Sequence, residues 1–176
     1  MKSIWLGAMI LSYSVCILTI IGGGGGNSNN SLPITVSSTL SDEKTRPIIF
    51  ASMLSMGFFT VLYESGRKDI VSFVSILLLL VGIYGVILIE ETQPIHYVFA
   101  FTAFISILMF MFRNRTNNKY DLFLCSTNAI LFFLLILSII FGQENTSTIG
   151  IFGYEIGFLI FFTIFYFTLH FRSFSI

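Results

Sequence analysis

The chain has 176 residues, with nine Lys plus Arg against nine Asp plus Glu and no formal net charge. Apolar residues make up 55% and charged residues only 10%, where a soluble domain carries about 25% charged residues; mean hydropathy is +0.90. These values exclude a soluble globular domain, a disordered chain and a basic nucleic-acid binder. Two Cys exclude a disulfide scaffold. An integral membrane protein remains.

A bilayer core about 30 Å thick needs about 17 to 25 apolar residues per helical crossing. Charges are confined to short clusters, and six runs lie between them: 4–21, 47–63, 70–89, 95–112, 120–141 and 149–171. A β-barrel would alternate polar and apolar residues over about ten positions. Stretches such as Leu77-Leu78-Leu79-Leu80 and Phe132-Phe133-Leu134-Leu135 are apolar on every face instead. The fold class expected is therefore all-α: an integral membrane bundle of six transmembrane helices in a single domain, 1–176.

The first run follows Lys2 and precedes five glycines, which resembles a signal peptide, but it is longer than a usual h-region and reads as a first helix. The segment 22–46 opens on Gly22 to Gly26 and Asn27-Ser28-Asn29-Asn30-Ser31, a flexible composition. It continues as a β-prone stretch over 32–40. The other connections are short, so neighbouring helices are expected antiparallel. With the N-terminus in the cytosol, Lys2, Arg67, Lys68, Arg113, Arg115, Lys119 and Arg172 lie inside, leaving only Lys44 and Arg46 outside. The positive-inside rule thus favours N-in and C-in.

Glu155 lies about six residues into the last run, or roughly 9 Å deep. An intramembrane carboxylate usually faces the bundle interior and marks a site; the alternative is a helix that starts later and leaves Glu155 among the headgroups. Gly150, Gly153 and Gly157 form a small-residue stripe in the same run, expected to let two backbones approach. Asn128, near mid-membrane in the fifth run, is expected to hydrogen-bond across helices. His96 follows Pro94 at the outer start of the fourth run, close after Glu90 and Glu91. It is an acid–base candidate with Glu91 or Glu155, against the plainer expectation of an interfacial side chain with its tip in water.

Two His, placed at opposite faces, do not assemble a zinc or haem site, so no metal or cofactor is expected. Cys16 and Cys125 differ in expected depth by about 10 Å and read as free thiols. Val81-Gly82-Ile83-Tyr84-Gly85 departs from a potassium-filter string and lies inside a crossing. Asn29 and Asn145 begin sequons on the outer side, while Asn114 begins one on the cytosolic side.

The N-in first helix, the outer-loop string Leu32-Pro33-Ile34-Thr35-Val36-Ser37, the short basic turn and the Pro94-Ile95-His96 opening together resemble the DRAM-like family of autophagy-linked membrane proteins and their relatives in GPI-lipid remodelling. The resemblance covers about 32–112 and the helix count. It implies six spans, a lipid-associated role in an endomembrane or the plasma membrane, and interest in Pro33, Ser37 and His96. The Phe- and Ile-rich composition suggests an AT-rich genome, such as that of a large DNA virus, with a viral membrane, or of a protist. The function expected is a non-enzymatic, structural or lipid-organising membrane protein, a subunit of a homo- or hetero-oligomeric assembly, with membrane lipids as partners and no nucleic acid. The competing expectations are a lipid-modifying enzyme using His96 and a small transporter using Glu155. Glu155 as the single ionisable residue inside the membrane weighs toward the first.

Overall fold

The computed structural model describes residues 2–23, 46–89, 93–141 and 148–172, with side chains placed over 4–19, 46–89, 93–140 and 153–172. Among these described residues six α-helices run in order: α1 (Lys2–Gly23), α2 (Arg46–Glu64), α3 (Ile70–Leu88), α4 (Pro94–Asn114), α5 (Lys119–Phe141) and α6 (Thr148–Arg172). No strand occurs among the described residues. Five helices, α2 to α6, are long and apolar enough to cross a membrane, and α1 carries a shorter apolar stretch, Ile4–Thr19, among its described residues. The protein is a multi-pass membrane protein. The sequons at Asn29 and Asn145, Glu90, Glu91 and the segment 24–45 lie outside the described residues.

Local chemistry sets the helix ends. Asp69 caps α3, its carboxylate accepting the Val71 and Ser72 N–H groups. Pro94 occupies the first turn of α4, where its missing N–H costs nothing. Asn118 Oδ1 accepts the Tyr120 N–H at the start of α5, 3.1 Å away. After α2 a single 3₁₀ turn, Ser65–Arg67, leads to Lys68 in the left-handed conformation at φ 61°, so α3 returns along α2 after only a few residues.

The helices pair as three antiparallel hairpins, α1 with α2, α3 with α4 and α5 with α6, each pair sharing its most extensive contact. The α3–α4 contact is the closest for a visible reason. A Cβ at Gly82 would lie 2.7 Å from the Ala103 N and 2.8 Å from the Phe99 carbonyl oxygen, so only hydrogen fits between the two backbones. Gly85 meets the Phe99 ring in the same way. Without water to drive association, such small-residue contacts are what hold helices together in lipid.

The expected glycine seam lies elsewhere. Gly153 faces open space, with nothing within 4 Å of a built Cβ, and Gly157 makes only an ordinary contact with Leu131 of α5. Gly150 lies in α6, but its surroundings are outside the described residues. The stripe was read from spacing, whereas a close approach needs a facing backbone, and α4 supplies that to α3. Asn128 is fully buried, and its Nδ2 donates to Met111 Sδ at 3.1 Å, linking α5 to α4. Cys16 and Cys125 are both buried free thiols.

Candidate functional site

Among the described residues, the densest polar cluster joins α2, α4 and α6 at the end of the bundle where α2 turns into α3. It is built from local helix spacing. Glu64 and Arg67 are three residues apart, and Tyr166 and His170 four apart, so each pair projects from one face. Glu64 is 1% exposed and His170 1% exposed. Arg67 Nη1 donates to Glu64 Oε2 at 3.1 Å and Tyr166 donates to Oε1 at 2.7 Å. His170 Nε2 stands 3.2 Å from the same Oε1, off the line of a formed hydrogen bond. Its Nδ1 is 2.9 Å from the Tyr63 hydroxyl. The neutral tautomer that fits both neighbours carries its hydrogen on Nε2, on the side of the carboxylate, and accepts from Tyr63 at Nδ1. The imidazole is held between two rings, its centroid 4.6 Å from that of Tyr63 and 4.2 Å from that of Tyr166.

From Glu64 the network runs outward. Arg67 Nη2 donates to Asn114 Oδ1 at 2.7 Å, and Asn114 Nδ2 donates to Ser72 Oγ at 2.8 Å. Ser72 Oγ donates to Asp69 Oδ2 at 3.1 Å, which also accepts from Arg113 Nε at 3.3 Å. Burial acts to raise the Asp69 carboxyl, but the Ser72 amide and hydroxyl, the Arg113 charge and the Val71 amide outweigh it and hold the group below its usual range. Beside this chain, Arg172 of α6 donates to Asp121 of α5 at 2.8 Å, and Thr116 donates to the same oxygen through both N–H and hydroxyl. One end of the bundle is thus tied across α2 to α6 by charged groups.

This cluster is not among the sites expected from the sequence, where Glu155 stands as the single intramembrane ionisable residue; Glu64, Asp121 and His170 are all buried. Each stands at a helix end beside basic residues, where a one-dimensional reading takes it for an interfacial charge. The available signals were the Glu64/Arg67 and Tyr166/His170 spacings. The candidates that were singled out lie apart from the cluster. His96 is 3% exposed, not tipped into water, because its Nδ1 donates to the Ile89 carbonyl at 2.8 Å and caps the far end of α3. Glu155 is half-buried in α6. Glu91 lies outside the described residues. No group of three or more His, Cys, Asp or Glu suited to a metal occurs among the described residues.

A cavity of about 90 Å³ lies among α1, α2, α3, α4 and α6, lined by Met9, Met56, Ile76, Leu80, Ile107 and Phe162 among others. Four hydroxyls reach its wall: Tyr13, Thr60, Thr163 and Tyr166. Thr60 donates to the Met56 carbonyl and Thr163 to the Leu159 carbonyl, both at 2.7 Å. With the Thr163 proton so placed, Tyr13 donates to Thr163 Oγ1 at 2.6 Å. Tyr166 donates to Glu64. Every hydroxyl proton in the wall is therefore engaged, and the cavity presents an apolar surface. Comparison of the chain with protein-family models, curated proteins and solved structures gives no match.

Proposed function

We propose that this chain is a non-enzymatic, lipid-organising membrane protein that seats part of an acyl chain in the cavity between its hairpins. The observation that carries this reading is the wall itself: apolar side chains from five helices, and hydroxyls whose protons are all donated elsewhere. Such a surface offers a polar substrate no free hydroxyl donor and little polar area, whereas methylene groups lose nothing by entering it. A lipid-associated role in an endomembrane or the plasma membrane is also what the DRAM-like resemblance implies. We place α1 in the membrane as a sixth span, because its 22 residues extend about 33 Å at 1.5 Å per residue and it packs along α2. The charged end of the bundle faces the cytosol in this reading, following the positive-inside rule.

The test uses the full chain in nanodiscs with a fluorescently labelled acyl-chain phospholipid. Met56→Phe and Leu159→Phe enlarge side chains in the cavity wall. The expected result is loss of the tightly held labelled lipid with the thermal midpoint kept. Retention of that lipid by folded, cavity-filled variants would overturn the reading.

A second reading is favoured by one arrangement, Tyr63–His170–Glu64. A hydroxyl, an imidazole and a carboxylate in sequence are the parts of a proton relay. If the protein moves protons, as an enzyme or a transporter, this cluster is the site in preference to His96 with Glu155. Proton uptake by proteoliposomes that vanishes in both Glu64→Gln and His170→Gln, with folding intact, would favour it over the first reading.

A further inference from the structure

Among the described residues, the three carboxylates at the charged end each have a cation and further donors from within the protein. Glu64 is taken by Arg67, Tyr166 and His170. Asp69 is taken by Arg113, the Ser72 hydroxyl and two amides. Asp121 is taken by Arg172 and both donors of Thr116. Lys68, Arg115 and Lys119 are left over: they are exposed, and no ion pair engages them among the described residues.

Their placement is specific. Lys68 sits between Arg67 and Asp69, and the two turns are fastened by Arg67 to Asn114 at 2.7 Å and by Arg113 to Asp69 at 3.3 Å. Arg115 follows Asn114 directly, so Lys68 and Arg115 are carried on turns that cannot drift apart without breaking those bonds. Lys119 opens α5 on the same turn. Each cation also has an exposed apolar side chain near it in sequence or, for Arg115, in space. Ile70 follows Lys68 by two residues, the Phe112 ring lies 5.5 Å under the Arg115 guanidinium, and Tyr120 follows Lys119; all three are exposed. Cations next to exposed apolar groups at helix ends mark the boundary between hydrocarbon and headgroup.

We infer that Lys68, Arg115 and Lys119 form a docking surface for the phosphate groups of anionic phospholipids in the adjoining leaflet. Zwitterionic headgroups meet it less well, because their own cation opposes the three. The surface needs only that the protein spans a membrane and does not depend on what occupies the cavity. Each Lys or Arg near an anionic membrane surface strengthens attraction about fivefold, and salt screens it.

The full chain is reconstituted in nanodiscs of phosphatidylcholine alone and of phosphatidylcholine doped with phosphatidylglycerol. The expected result is a higher thermal midpoint, and phosphatidylglycerol enriched among co-isolated lipids, in the doped discs, with both effects removed by high salt. The triple variant Lys68→Gln, Arg115→Gln, Lys119→Gln should lose both while keeping the midpoint of the native chain in pure phosphatidylcholine. Arg46→Gln, at the other end of α2, should keep both. If the triple variant does not fold, Lys68→Gln and Arg115→Gln are read singly, each expected to weaken the enrichment about fivefold. Unchanged enrichment in the folded triple variant or in both single variants, or no preference in the native chain, would overturn the inference. Met56→Phe should leave the phosphatidylglycerol effect intact, which separates failure here from failure of the cavity reading.

Discussion

Glu64 Oε1 and His170 Nε2 stand 3.2 Å apart at the buried junction of α2 and α6. Removing one partner of such a buried, charged set leaves the others uncompensated. Glu64→Ala strands Arg67 and His170 and is expected to cost about 3–5 kcal/mol of stability. Glu64→Gln keeps an acceptor for the Tyr166 hydroxyl and should cost visibly less. Thermal unfolding of the two variants in the same nanodiscs checks the order; equal and small losses would mean that the carboxylate is not holding α2 to α6.

The two glycine positions separate close packing from mere spacing. Gly82→Ala forces a methyl against the backbone at Phe99 and Ala103 and is expected to destabilise by about 1–3 kcal/mol, as overpacking does. Gly153→Ala meets open space and should be neutral or stabilising by up to about 1 kcal/mol through helix propensity. Midpoints moving together in the two variants would contradict the α3–α4 contact described above.

Lys68 holds a left-handed backbone at φ 61°, a conformation that costs an L-residue about 1–2 kcal/mol. Lys68→Gly removes the Cβ conflict but adds freedom to the unfolded chain. A net gain of about 0.5–1 kcal/mol is expected, and Lys68→Val should lose stability. The comparison of these two variants by thermal unfolding tests the turn geometry rather than the charge, since both remove the ammonium.

Asp69 supplies a pH dependence with a definite sign. Its folded carboxyl lies below the usual value, so the folded state binds the proton less readily than the unfolded chain does. The stabilisation is fully present above the unfolded value, about 3.9, and is lost as pH falls through the lower, folded value. Native protein should therefore be more stable than Asp69→Asn at neutral pH, with the gap closing below about pH 4. A gap that is flat down to pH 3 would show that the cap and the Arg113 pair contribute nothing through charge.

What the sequence determined by itself was the membrane class and the helices. Hydrocarbon demands that every crossing satisfy its own backbone, so an apolar run between charge clusters is a helix almost wherever it falls. The structure's helix ends lie within two residues of the runs read from composition. Buried free thiols at Cys16 and Cys125 followed from depth alone. Lateral placement was a different matter. Depth along a helix is one-dimensional, but which faces meet depends on how three hairpins assemble, and many assemblies satisfy the same short turns. Tyr63 and His170 are 107 positions apart, and nothing local announces their contact. The same limit put the glycine seam on α6, where spacing suggested it, when the facing backbone is that of α4 against Gly82. It also left His96 in water, when the nearby end of α3 offered the Ile89 carbonyl. Only tertiary structure decided that Glu64 is buried: a carboxylate at a helix end is solvated by default, and it takes Arg67, Tyr166 and His170 together to replace that water.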